Sequence, residues 1–271
     1  GSTSLTKILN TATNAECLSE PQPALYVESR KLLDNNLKNP YEVIVNSILP
    51  RAAQLLDKNQ IYGEKQLTLG PFIPYLHSLL KCKFIWLIRD GRDVVTSFLN
   101  WHSQVYGNIY RECKEEDDLS KYARKMQAPI DKDESDYARP RPGPKDPWFD
   151  EWANLSRFEM VAWYWAFYNH LIEDNLLNIP KEDWLFLNYS QVRTESILNV
   201  FDFLGLEGKD ENKTRKMLNK KINSVLNVTH QKAKYPSWDK WDKETTNKFN
   251  AIAGKAMHHF GYYDTLSGIN N

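Results

Sequence analysis

Several residues in this chain have side chains suited to handling an anion, at spacings that bring them into register with one another. Arg89 follows the apolar run Phe84-Ile85-Trp86-Leu87-Ile88, and Ser97 lies eight residues further on. A guanidinium and a hydroxyl about two helical turns apart can meet on one phosphate-like group. An Arg89–Asp93 ion pair with Ser97 as a small packing residue is the structural alternative. Ser2-Thr3-Ser4, after Gly1 and before a helical pattern, would offer hydroxyls and free backbone N–H groups to an anion, or serve as an ordinary helix cap. Lys65 closes the short run Ile61-Tyr62-Gly63-Glu64 and supplies a flexible point charge, unless it is simply solvated. Glu20, ahead of Pro21 and Pro23, is the carboxylate that ends the short strand-like segment Ala15–Glu20; it is a candidate general base or a helix-start acid. His102 sits just beyond the segment that carries Ser97. Lys232 and Lys234 form a small basic cluster, and Tyr189 is an aromatic at the end of the apolar run Trp184–Asn188.

The elements that must position these groups can be read from periodicity. Phe84–Ile88 and Trp184–Tyr189 read as buried parallel strands, and Ala15–Glu20 and Ile61–Leu67 as shorter ones. Arg89-Asp90-Gly91-Arg92-Asp93 supplies a turn and an acidic helix start, after which Val94, Val95, Phe98 and Leu99 make an apolar face. Helices are expected over 23–35, 41–58 and 148–177, the last rich in aromatics, and a closing amphipathic helix carries Phe249, Ile252, Met257 and Phe260. Residues 111–147 are rich in charge and proline and read as a long insertion. The expectation is one domain over 1–271, an α/β fold whose ligands bind beyond the carboxyl ends of the strands.

Composition narrows the classes. There are 35 basic and 35 acidic residues, so the chain is not built to coat nucleic acid, and any anion site is local. Three cysteines without metal-ligand spacing indicate neither a disulfide framework nor a metal site, and a reducing, cytoplasmic setting is the simplest expectation. No apolar run approaches the length of a membrane span.

The run Arg89-Asp90-Gly91-Arg92-Asp93-Val94 with Ser97 resembles the 3′-phosphate-binding motif of sulfotransferases that use 3′-phosphoadenosine 5′-phosphosulfate (PAPS) and release 3′-phosphoadenosine 5′-phosphate (PAP). Gly1-Ser2-Thr3-Ser4 resembles the family's 5′-phosphosulfate loop. Lys65, 24 residues before Arg89, has the separation of the family lysine that lies near the transferring sulfonate. Phe203-Leu204-Gly205-Leu206 is similar to a family helix end, and Tyr189 takes the place of the tyrosine that touches adenine. The segment from His230 to Pro236 resembles the basic loop that closes over the 3′-phosphate, with Ala233 where the family has glycine. Cytosolic members place a histidine base two residues after the lysine, where this chain has Leu67. The resemblance is therefore closer to Golgi-type and bacterial members, whose glutamate base maps to Glu20, with Glu64 and His102 as substitutes. It implies a P-loop-like three-layer fold with a mostly parallel central sheet flanked by helices. The implied activity is sulfonate transfer from PAPS to a hydroxyl or amine of a small-molecule or carbohydrate acceptor, with a Golgi-lumen location if an anchor precedes the chain. A P-loop kinase or NTPase would need Gly-x-x-x-x-Gly-Lys-Ser/Thr, which the sequence does not contain. A catalytically silent nucleotide-binding module is the other alternative.

Overall fold

The computed structural model describes residues 2–56, 58, 60–105, 109–110, 112–113, 139–222 and 235–262, with the backbone alone at 56, 101–105 and 220–222. The chain divides into two compact units, Gly1–Arg89 with Ile172–Val228 and Asp90–Leu171 with Thr229–Asn271.

All four strands of the described residues belong to the first unit. β1 (Ala15–Ser19) pairs in parallel with β2 (Ile61–Lys65), and β3 (Phe84–Ile88) pairs in parallel with β4 (Trp184–Asn188). Parallel neighbours require crossovers. The first is made by three helices, α2 (Tyr26–Leu33), α3 (Pro40–Ser47) and α4 (Leu49–Leu56). The expected helix over 41–58 is divided at Ile48 because Pro50 lacks an amide proton and occupies the opening turn of α4, where that loss does not matter.

Alternate strand residues serve two hydrophobic cores. One is built from Leu5, Ile8 and Leu9 of α1 (Ser2–Leu9), Ile197, Val200 and Phe201 further along the chain, and Leu218, with Cys17, Ile61, Ile85 and Leu87 packed onto it. The other holds Leu25, Ile44, Ile48, Phe72 and Leu76, with Tyr62 and Phe84 against it. The period-2 alternation of a strand thus covers both faces with helices. The α/β class and parallel pairing agree with the sequence reading, whereas the expected extended central sheet is replaced by two two-stranded pairs. Five-residue apolar strands specify burial and face but not which neighbour completes the ladder.

The described part of the second unit is helical. α5 (Ile73–Leu80) precedes β3 in the first unit; α6 (Gly91–Val105), the residues of α7 (Arg157–Leu177) up to Leu171, and, after α8 (Thr194–Leu204) and α9 (Glu211–Ile222) of the first unit, α10 (Lys243–His259) make up the second. Ser156 and Glu159 start α7 with a reciprocal cap: the Ser156 N–H donates to Glu159 Oε2 at 2.8 Å and the Glu159 N–H to Ser156 Oγ at 3.3 Å. Gly91 is required where it stands, since a Cβ there would come within 2.8 Å of the Trp165 indole. Most of the proline- and charge-rich insertion at 111–147 lies outside the described residues. Its two ends are tied together: Tyr110 Oη donates to the Pro140 carbonyl at 3.2 Å, and Arg141 pairs with Glu112 at 2.8 Å. No helix among the described residues is long and apolar enough to cross a membrane.

Candidate functional site

The carboxyl edge of β1–β2 brings two predicted residues together. Ser19 stands opposite Lys65 in the ladder, and the Glu20 amide continues it by donating to the Lys65 carbonyl at 2.7 Å. Glu20 then adopts a left-handed backbone, φ 51°, which turns its carboxylate onto the Lys65 ammonium as a hydrogen-bonded ion pair. That conformation costs a residue with a Cβ about 1–2 kcal/mol, so the rest of the structure must hold it. The Glu20 side chain is 46% exposed and that of Lys65 15%, which leaves the carboxylate accessible and the lysine stem packed.

Glu64, the substitute base, is placed differently. Its side chain is 5% exposed and both oxygens are occupied. Oε1 accepts from Arg51 Nε at 2.9 Å and from the Tyr62 hydroxyl, and Oε2 accepts from Gln66 Nε2 at 2.6 Å. Burial, reinforced by the Glu64 charge, pushes the Tyr62 phenol well above its ordinary range. Burial also raises the Cys17 thiol on the neighbouring strand. Glu64 is thus held in a fixed network, while Glu20 meets solvent.

The serine-rich start of α1 belongs to the same unit as β1 and β2. Asn10, just after the helix, exchanges two hydrogen bonds with the Cys17 backbone, at 2.9 and 2.6 Å, so the chain reverses between α1 and β1. Ser2 and Thr3 are half-buried and Ser4 is buried; Gly1 lies outside the described residues.

At the carboxyl edge of β3–β4, Ile88 is opposite Asn188, so Arg89 and Tyr189 are the first residues beyond the ladder on each strand. The guanidinium lies 5.6 Å from the Tyr189 ring centre, a cation–π contact. Asn188 holds the turn by accepting from Ser190 N at 3.0 Å and Ser190 Oγ at 2.6 Å. The asparagine thereby caps the turn that follows β4.

In the second unit Ser97 is exposed on α6. His102 lies in the last turns of that helix and its side chain is outside the described residues, as are Lys232 and Lys234. The root of their loop is described. Arg92, Thr96 and Asn100 stand four residues apart on α6, one stripe of the helix. The Arg92 guanidinium lies 3.9 Å from the Trp238 ring, Thr96 Oγ1 donates to the Pro236 carbonyl at 3.5 Å, and Asn100 exchanges bonds of 3.1 and 2.9 Å with the Tyr235 backbone. Arg92, 2% exposed, also forks onto Asp90, with Nε at 2.9 Å from Oδ1. The second arginine of the motif is therefore structural in its contacts. His170 and His259 bring their rings 5.2 Å apart beside Phe260; their nitrogens are donors of the kind that can hold a metal ion.

Arg51 was not among the predicted residues. It sits in an amphipathic helix where an arginine reads as ordinary surface, and only its pairing with Glu64, thirteen residues away, gives it a role. Comparison with family models, with curated proteins and with solved structures returns no match to this chain.

Proposed function

We propose that the chain is a PAPS-dependent sulfotransferase acting on a hydroxyl or amine of a small-molecule or carbohydrate acceptor, on a P-loop-like α/β fold. The observation that carries this reading is the Glu20–Lys65 pair. These two residues, 45 positions apart and selected for different roles, meet at the carboxyl edge of a parallel strand pair. Ligands of open α/β folds bind beyond such edges. Arg89 and Tyr189 stand in the equivalent place on the other pair, where a fixed cation and an aromatic face suit a phosphorylated nucleoside.

Bound PAPS would supply the sulfonate and leave as PAP. Arg89 would hold the 3′-phosphate and Tyr189 would face the base; the motif resemblance also assigns Ser97 a phosphate contact. Glu20, exposed at the strand edge, would take the proton from the acceptor oxygen or nitrogen. Lys65 exchanges its carboxylate partner for the charge that builds on the departing phosphate, a movement its four-carbon stem permits. No step calls for a metal ion.

Calorimetric titration with PAP, with AMP and Mg-ATP as controls, tests the reading. PAP should bind with at least tenfold preference over both controls, and Arg89→Ala should weaken it by about 10–100-fold, the range for loss of a charge-assisted contact of 1.5–3 kcal/mol. Equal affinity for AMP and PAP would remove the sulfotransferase reading; Mg-dependent preference for ATP would replace it with a phosphotransferase.

A further inference from the structure

We propose that Arg51 is the positioning residue of the Glu20–Lys65 pair, holding Glu20 in the left-handed conformation that presents its carboxylate to the lysine. The catalytic part of this proposal rests on the sulfotransferase reading; the structural part does not. Glu20 is one of five described non-glycine residues with a positive φ, and among those five it is the one assigned chemistry. Strain of this kind persists only where the surroundings over-determine it. Ahead of the carboxylate, the Glu20 amide is held by the Lys65 carbonyl. Behind it, Arg51 Nη1 donates to the Gln22 carbonyl at 3.0 Å. The turn is thus gripped on both sides.

The grip is transmitted by a rigid network. Arg51 Nε reaches Glu64 Oε1 at 2.9 Å and the Tyr62 hydroxyl at 3.3 Å, and Nη2 lies 2.7 Å from the same carboxylate oxygen. Gln66 ties the other Glu64 oxygen, and Thr68 Oγ1 links Gln66 Oε1 at 3.2 Å to the Ala24 carbonyl at 2.8 Å. Residues 20–24 are therefore fastened at three places: Glu20 N to the Lys65 carbonyl at the end of β2, Gln22 O to Arg51 of α4, and Ala24 O to Thr68 just beyond β2. The middle fastening passes through Arg51. Burial works against charge on this guanidinium, but Tyr62 and Glu64 more than compensate and hold its proton more firmly than usual. A lysine in its place could keep the Glu64 charge pair but could not fork to Tyr62, Glu64 and the Gln22 carbonyl at once.

Arg51→Lys is the decisive variant, with Arg51→Met as its partner and Glu64→Gln as the substitution that weakens the network from the other side. Backbone hydrogen exchange reads the structural claim without any substrate. In Arg51→Lys the Glu20 amide should exchange at least about tenfold faster, while the Cys17 and Ser19 amides of β1 keep their wild-type rates. Unchanged exchange at Glu20 overturns the proposal. Should Arg51→Lys fail to fold, Glu64→Gln decides by the same measurement. Turnover reads the catalytic claim: kcat should fall about 100-fold, as expected for a base misplaced by about an ångström, with PAP affinity within twofold of wild type. Faster exchange at Glu20 with kcat unchanged would leave Arg51 a structural residue only and overturn its positioning role. If wild-type protein fails to bind PAP, the sulfotransferase reading falls, and hydrogen exchange still decides whether Arg51 holds Glu20.

Discussion

Glu20 shows how a single residue can be informative through its backbone as well as its charge. A glutamate at φ 51° is strained where a glycine would not be. Its ion pair, with the carboxylate 46% exposed, contributes at most about 1 kcal/mol. Glu20→Gly should therefore leave thermal stability unchanged or slightly raised, within about 1 kcal/mol, because relief of the left-handed strain offsets the lost pair and the entropy of glycine. Turnover should fall by about 10²–10⁴. A melting temperature several degrees lower would mean that the pair, and not function, is what keeps Glu20 there. The cysteines give an opposite prediction of inertness. Burial, with a smaller contribution from the Asp183 charge, pushes the Cys82 thiol up to about 11, and burial also raises Cys17. At pH 8 a thiol of this kind is ionised about two orders of magnitude less than a free cysteine. Iodoacetamide labelling of Cys82 in native protein should be slower by about that factor, and should recover when the protein is unfolded in urea. Fast native labelling would show that the thiol is not held in its protonated form as described.

Among the elements, α6 depends most on one small residue. Its start packs so closely on α7 that a Cβ at Gly91 would meet three indole carbons of Trp165 at 2.8–3.0 Å. A ring fixed in a core cannot swing aside as a flexible chain end can. Gly91→Ala should therefore destabilise the protein by about 1–3 kcal/mol despite alanine's better helix propensity. Thermal unfolding checks this, and an unchanged or higher melting temperature would refute the close packing. The same helix carries the Arg92, Thr96 and Asn100 stripe that fastens residues 235–238. The sequence pattern Arg-Asp-Gly-Arg-Asp thus combines two tasks, one arginine at the strand edge and one inside the helix packing.

For the whole molecule, zero net charge means that an anionic cofactor is not drawn in by a general positive field. On the proposed function, affinity would come from local groups such as Arg89 and Lys65. A ligand that binds only the folded chain at 100 times its dissociation constant stabilises it by about 2.7 kcal/mol. For a chain of this size that corresponds to a rise of roughly 5–10 °C in melting temperature. PAP at that excess should produce such a rise in wild type and little in Arg89→Ala at the same concentration; an equal rise in both would remove Arg89 from the site.

The sequence by itself determined the strands and, more coarsely, where the helices lie. Phe84–Ile88 and Trp184–Asn188 are legible because short apolar runs rich in aromatic and branched residues read as strands, whereas α7 begins at Arg157 and not at the expected residue 148, because Ser156 and Glu159 cap it there. It also placed Glu20, Lys65, Arg89 and Tyr189 at strand ends, since the end of an apolar run is a local event. Tertiary structure alone decided which strands pair, giving two parallel pairs where one extended sheet was expected. It alone brought Glu20 to Lys65 across 45 residues and Arg51 to Glu64 across 13. It also turned Arg92 inward against Asp90 and Trp238. Periodicity encodes which face of an element is buried, whereas the partner of a charged side chain depends on where distant elements dock.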